Sequence, residues 1–272
     1  MKKVLKDKFP EWTVKDLKLE MDLIVGDDSD SLFSCNLLEE MTDGKWKINY
    51  FYDFENFHRH EETELMTIGV DMAFAKNTRC FDNHITQQYI NSPKNHYMAN
   101  PNLVYNITTG KPYHKKYPFS TLMLIMALYD IPMPKSDIGK DIILAVDSAH
   151  KGHYATSKYF KDIHTTWLER LGFTELIDRL NKNNDSYYKR IQKGLNLNGK
   201  ISINKEGFLE SDIKFDKLQP YFDWEITLPN KQFQLFKKYN RCGQNINKKM
   251  PERSQLISLA YTNNDYVSFT TK

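Results

Sequence analysis

Four short apolar runs in the first 150 residues each end on an acidic or imidazole group, and this repeated ending limits the fold more than any single motif. "MDLIVGDDSD" (21–30) delivers Asp27, Asp28 and Asp30, and "TIGVD" (67–71) delivers Asp71. "CFDNH" (80–84) delivers Asp82 and His84, and "ILAVD" (143–147) delivers Asp147. Short apolar runs bounded by polar clusters read as strands buried on both faces. Between them, "SLFSCNLLEEM" (31–41) reads as a helix with Ser31 as its cap, and "KINYFYDF" (47–54) as an aromatic strand. "PFSTLMLIMALYDI" (118–131) reads as an apolar helix stopped at Ile131-Pro132-Met133-Pro134. Strands alternating with helices predict an α/β fold with a mostly parallel sheet flanked by helices. In such sheets chemistry gathers where the carboxyl ends of the strands and their loops converge, so the four endings are expected at one place.

The second half changes character. Residues 157–182 and 185–195 have the spacing of amphipathic helices. "GKISINKEGFLES" (199–211) and "FDWEITL" (222–228) read as antiparallel strands, and the tail as a hairpin turning at Asn263-Asn264. The expected organisation is a metal-holding domain over 1–155, then a helical linker and a smaller α+β substrate-binding domain over 156–272.

Charge divides along the same line. The first 150 residues carry 17 Lys+Arg against 22 Asp+Glu, and the remainder 21 against 13. An acidic half beside a basic half suits a cation site next to a surface that grips a polyanion. No apolar run approaches the roughly 18–20 residues that span a bilayer, and "MKKVLKDKFPEW" lacks the apolar core of a secretion signal. The three cysteines are widely spaced and form no C-x-x-C pair. A cytoplasmic protein without membrane contact is the expectation.

Carboxylates brought together repel, and their pKa values rise unless a cation neutralises them. Oxygen donors with one imidazole suit Mn²⁺ or Mg²⁺ better than a structural zinc. A pair of such ions roughly 3.5–4 Å apart supports in-line phosphoryl displacement by water.

The order of these motifs resembles the DHH phosphoesterase superfamily, which includes RecJ-type exonucleases, oligonucleotide ribonucleases, cyclic-dinucleotide phosphodiesterases and family II pyrophosphatases. "VGDDSDSLFS" is similar to the first motif (Asp28, Asp30), "IGVDMA" to the second (Asp71), "CFDNHIT" to the Asp-His-His motif, and the segment ending "ILAVDSAHKG" to the fourth (Asp147). The resemblance spans roughly residues 20–152. It implies that Asp28, Asp30, Asp71 and Asp147 hold about two Mn²⁺ or Mg²⁺ ions, with Asp71 bridging. It also implies that His84 orients the phosphate or protonates the leaving oxygen, with Asp82 supporting the imidazole. The expected activity is metal-dependent hydrolysis of a phosphodiester in a nucleic acid or nucleotide.

The chain departs from that pattern at three points. Asn83 stands where the first histidine is expected, and Ile24 where the pyrophosphatases and cyclic-dinucleotide phosphodiesterases have a histidine. The Gly-rich substrate-binding segment of the family's second domain has no counterpart. These departures keep open a catalytically impaired relative that binds nucleic acid or a protein partner. A haloacid-dehalogenase-type phosphatase also fits "LIVGDDSDS", but no later strand ends in the acids that fold needs.

Other residues have weaker readings. His150, Lys151 and His153 follow Asp147 directly and are expected near the substrate phosphate. His58 and His60 read as loop histidines. Tyr50, Phe51, Tyr52, Phe54 and Phe57 read as sheet packing or as base-stacking groups. The basic segments 189–200 and 237–249 are candidates for tracking a nucleic-acid backbone.

Overall fold

The computed structural model describes residues 1–110 and 112–272. Six strands form in the first hundred residues: β1 (Met21–Val25), β2 (Trp46–Tyr52), β3 (Asn56–Arg59), β4 (Thr67–Val70), β5 (Arg79–Phe81) and β6 (Met98–Ala99). A small antiparallel pair follows later, β7 (Ile201–Ile203) with β8 (Leu209–Ser211), and then β9 (Gln234–Lys238). The main sheet has seven strands in the order β6-β5-β4-β1-β2-β3-β9. Strands β6, β5, β4, β1 and β2 run parallel, while β3 and β9 are added antiparallel at one edge. The chain therefore returns to its first sheet after residue 230. The last strands, β10 (Asn240–Asn245), β11 (Leu256–Tyr261) and β12 (Tyr266–Thr271), make a separate antiparallel sheet in the order β10-β12-β11.

Every residue of β1 is buried, which its aliphatic run foretells. Met21, Leu23 and Val25 join Trp46, Ile48, Ile68, Val70 and Phe81 in the larger core. That core is completed by the helices α1 (Ser29–Met41), α2 (Thr121–Leu128) and α3 (Asp137–Ala145). Ile24, Tyr50, Tyr52 and Cys80, at the alternate positions, form a second cluster with Met72, Phe74, Ile257 and Ala260. One face of the sheet thus packs on helices and the other on the C-terminal strands. The latter are tied down through Leu259 N–H to Ala73 O and Tyr261 N–H to Ile85 O, both 2.8 Å.

Several local expectations differ from the fold. The segment containing "ILAVD" is not a strand: Ser136 caps α3 by accepting from the Gly139 N–H, and the apolar run is its buried end. A short apolar run cannot be told from a buried helical turn by periodicity. "FDWEITL" buries Trp224 and Ile226 without joining a sheet, because the Ile226 and Thr227 N–H groups donate to the side chains of Gln219 and Asn36. The stretch 157–182 is two helices, α4 (Lys158–Leu171) and α5 (Glu175–Lys182). Gly172, at φ 86°, ends α4 in the left-handed region that glycine adopts without strain. Residues 185–195 form α6 (Asp185–Leu195), and the terminal hairpin turns between Tyr261 and Tyr266, as expected. No described helix is long and apolar enough to cross a membrane.

Candidate metal centre

The parallel strands in the order β2-β1-β4-β5-β6 place a change of direction between β1 and β4, and ligands of open α/β sheets bind in the crevice outside that point. Asp28 follows β1, Asp71 follows β4, and Asp82, Asn83 and His84 follow β5. Asp147 arrives from the opposite layer, two residues beyond α3. A cavity of about 220 Å³ has Asp27, Asp28, Asp71, His84 and Asp147 on its walls. Lys200, paired with Asp27, together with Arg241 and residues of β11 and β12 completes the wall.

Backbone strain marks the same place. Asp71 (φ 60°) and Asp147 (φ 48°) are both in the left-handed region, as is Phe54 (φ 72°) on the cavity wall. Aspartate tolerates this conformation better than most residues, but each instance costs on the order of 1 kcal/mol and persists only where the surroundings hold it.

Asp28 caps α1, accepting from the Ser31 N–H at 3.1 Å. The cap expected at Ser31 therefore lies three residues earlier. The Ser31 hydroxyl instead bridges β1 and β4, accepting from the Gly26 N–H (2.7 Å) and donating to Val70 O (2.6 Å). Asp30, expected among the metal ligands, has a different task. Its two carboxylate oxygens accept the Thr121 N–H (2.7 Å) and Leu122 N–H (2.9 Å) at the start of α2, and it is not part of the cavity wall. The Thr121 hydroxyl donates to Asp71 Oδ1 at 2.7 Å.

Asp82 is fully buried and saturated with donors. His84 Nδ1 lies 2.9 Å from Oδ1, and Oδ2 accepts from the His84 N–H (3.0 Å) and Asn100 Nδ2 (2.7 Å). Asn83 is buried, and its amide donates to Phe119 O (3.1 Å) and Asp147 Oδ2 (3.3 Å). It acts on Asp147 rather than facing the cavity as a ligand.

Burial, followed by the charges of Asp28 and Asp147, holds the Asp71 carboxyl well above the usual range, although His84 opposes the shift. Asp30 is raised for the same reasons, by burial and then by Asp71, Asp147 and Asp28. Asp147 is raised mainly by burial, with His84 opposing. Burial works against charge on His84, but Asp82, Asp71 and Asp147 outweigh it and push the imidazole up to about 10. Carboxylates raised by one another's charge form a donor set that a cation relieves, and Asp71, Asp82 and His84 offer atoms within 4.8 Å of one another. Carboxylate oxygens suit a hard divalent ion: Asp71 would offer one from this close set, and Asp28 and Asp147 share its cavity wall without belonging to the set.

The expected phosphate contacts after Asp147 separate. His150 is fully buried, stacks on Tyr188 (4.9 Å) and meets Leu144 O through Nδ1 (3.2 Å). His153 is buried against Tyr154. Both serve the helical layer because α3 ends in a tight turn that carries them inward. Lys151 remains exposed and lines a neighbouring cavity. His58 lies in β3 rather than a loop and packs on Phe51, while His60 Nδ1 meets Gln232 O. Tyr50, Tyr52 and Phe57 pack on one another, leaving Phe54 to reach the acidic cavity.

Sequence reasoning missed Thr121, Asn100 and the β11–β12 residues, for which no local signal exists. Lys200 and Arg241 were legible only as members of basic segments. Comparison of the chain with family models, with curated proteins and with solved structures finds no match.

Proposed function

We propose that the protein is a metal-dependent phosphoesterase of the DHH type that hydrolyses a phosphodiester of a nucleic acid or nucleotide. The convergence of Asp28, Asp71, Asp147 and His84 on one cavity that Lys200 and Arg241 also line carries this reading. A bound divalent ion supplies Lewis acidity toward water and phosphoryl oxygens. The chain's own residues do the rest. Lys200 and Arg241 draw the anionic phosphate against the acidic floor, and Lys200 already spans to Asp27 Oδ1 at 3.1 Å. His84, oriented through Nδ1 by Asp82, presents Nε2 to the leaving oxygen and holds the proton that oxygen needs. Asp30 holds the backbone at Thr121, and the Thr121 hydroxyl holds the Asp71 carboxylate, both without touching the substrate.

Asn83 favours a second reading, a catalytically impaired relative that binds nucleic acid or a protein partner, because an amide bonded to Asp147 occupies the place of an expected imidazole. Hydrolysis of single-stranded DNA, short RNA, cyclic dinucleotides and pyrophosphate in Mn²⁺ separates the two, with Asp71→Ala as control. Turnover lost in Asp71→Ala supports the enzyme. Turnover that survives it refutes the site. Absence of turnover together with absence of Mn²⁺ binding in calorimetry supports the impaired relative.

A further inference from the structure

Beside the metal cavity lies a larger one of about 630 Å³, and the two share His84, Asp147 and Thr262. The first cavity is too small for a nucleoside, whereas the second is in the range of small-molecule sites, roughly 300–1,000 Å³. The larger cavity is bounded by the segment 113–119, by the first turns of α4 and by Tyr261. Its lining combines aromatic rings, among them Tyr113 and Phe160, with two cations, Lys116 and Lys151. Phe160 is 43% exposed, so its ring is open to a ligand at this rim. Lys116 is near enough to offset the charge of Asp147, and it leans over the Tyr113 ring at 5.1 Å.

His164, also in the wall, is 2% exposed, and neither ring nitrogen has a hydrogen-bond partner. A buried polar group left unpaired costs roughly 1–3 kcal/mol, so such groups ordinarily have a partner to meet. Gly152 lies against this ring, and a Cβ there would collide with it. Space at this wall therefore depends on the glycine.

We propose that the larger cavity is a nucleotide subsite. It seats the base and ribose on one side of the scissile phosphate, with the aromatic rim stacking the base and Lys116 and Lys151 meeting a further phosphate. This deepens the phosphoesterase reading and rests on it. Because His84 and Asp147 stand at the junction, a phosphorus atom placed there has one substituent in each cavity. A diester fits that arrangement, and a 5′-nucleotide reaches the larger cavity with its nucleoside alone.

The test is calorimetric binding of 5′-AMP, ribose 5-phosphate and inorganic phosphate to the full chain in EDTA, where hydrolysis plays no part. AMP is expected to bind at least about tenfold more tightly than ribose 5-phosphate, the scale of one stacked base. Phe160→Ala and Lys151→Glu, both at exposed positions, are each expected to weaken AMP about tenfold with unchanged melting temperature. AMP binding no tighter than phosphate, or indifferent to both variants, overturns the subsite. In Mn²⁺, Phe160→Ala is expected to lower the preference for a dinucleotide over methyl p-nitrophenyl phosphate about tenfold, and an unchanged preference also overturns it. If neither diester is hydrolysed, the phosphoesterase reading fails, and the AMP measurement still decides whether the cavity binds nucleotides.

Discussion

His84 Nδ1 and Asp82 Oδ1 are 2.9 Å apart, and the carboxylate is fully buried with two further donors on its other oxygen. A carboxylate in that setting accepts, so Nδ1 carries the hydrogen and Nε2 is the nitrogen left for a ligand or a proton transfer. The folded-state pKa of about 10 lies above the unfolded value, near 6.5. The pair therefore stabilises the metal-free fold fully below pH 6.5, and this contribution is lost as pH rises through about 10.

Asp82→Asn removes the main support of that charge. The His84 imidazole, followed by NMR in EDTA, is expected to titrate well below 10. The variant loses roughly 1–3 kcal/mol of stability at pH 7, a deficit that narrows above pH 10. A His84 titration unchanged by the substitution would show that Asp82 is not what holds the proton.

Asp71 has the opposite effect on stability. Its carboxyl is raised by burial and then by Asp28 and Asp147, so ionising it at neutral pH opposes folding. The sign follows from linkage: a raised carboxyl favours folding below the unfolded value, near 4, and that benefit is lost as pH rises through the folded value. Asp71→Asn keeps a residue that tolerates φ 60° and removes the charge. It is expected to raise the melting temperature of the metal-free protein by about 2–4 °C at pH 7, equivalent to roughly 1 kcal/mol. It should also abolish the rise in melting temperature produced by Mn²⁺. Differential scanning fluorimetry with and without Mn²⁺ reads both, and a variant still stabilised by Mn²⁺ counts against the centre.

The sheet was legible because its signal is local: aliphatic runs at 21–25 and 67–70 can only be buried, and each is followed by aspartate. Asp147 was legible as a residue but not as a helix end, because the run before it buries every side chain and carries no period. Asp30 and Asp28 look equivalent in sequence. They differ only because α2, some ninety residues later, presents two free N–H groups to Asp30. His150 and His153 were misplaced for a related reason, since a turn at Asp147 and Ser148, both at positive φ, redirects the chain. The roof of the cavity comes from β11 and β12, whose approach depends on tertiary pairing that no local pattern records.

Asn83→His tests whether this position belongs to the metal shell. The amide now bridges Phe119 O and Asp147 Oδ2. An imidazole in its place is expected to tighten Mn²⁺ binding about tenfold or more, the scale attached to changes around metal ligands. Calorimetry showing weaker binding, with unchanged stability, would instead assign Asn83 to holding Asp147 in place.

The three buried histidines behind Asp147 predict acid sensitivity. Burial holds His164 down to about 3 and His153 to about 4, and lowers His150 as well. Each folded-state value is below the unfolded one, so the neutral rings stabilise the fold fully above pH 6.5, and this is lost as pH falls toward 4. The urea midpoint is expected to fall steadily from pH 7 to 4, with a shallower decline in His164→Phe. An identical decline in that variant would show that His164 takes up no proton on unfolding.

An ion pair outside the cavity braces the helix that leads to Asp147. Asp141 in α3 is fully buried and accepts from Arg179 in α5, with Nε at 3.0 Å, and from the hydroxyls of Tyr187 (2.8 Å) and Tyr188 (3.2 Å) in α6. This network joins α3 to both helices, and α3 carries Asp147 at its end. Arg179→Met strands the Asp141 charge in the core and is expected to cost about 3–5 kcal/mol, read as a lower urea midpoint. Asp141→Asn paired with Arg179→Met removes both charges and should recover much of that loss. If the pair acts only on stability, Mn²⁺ affinity in the double variant will match the unmodified chain. A drop in affinity in the refolded double variant would instead make the pair a positioning element for Asp147.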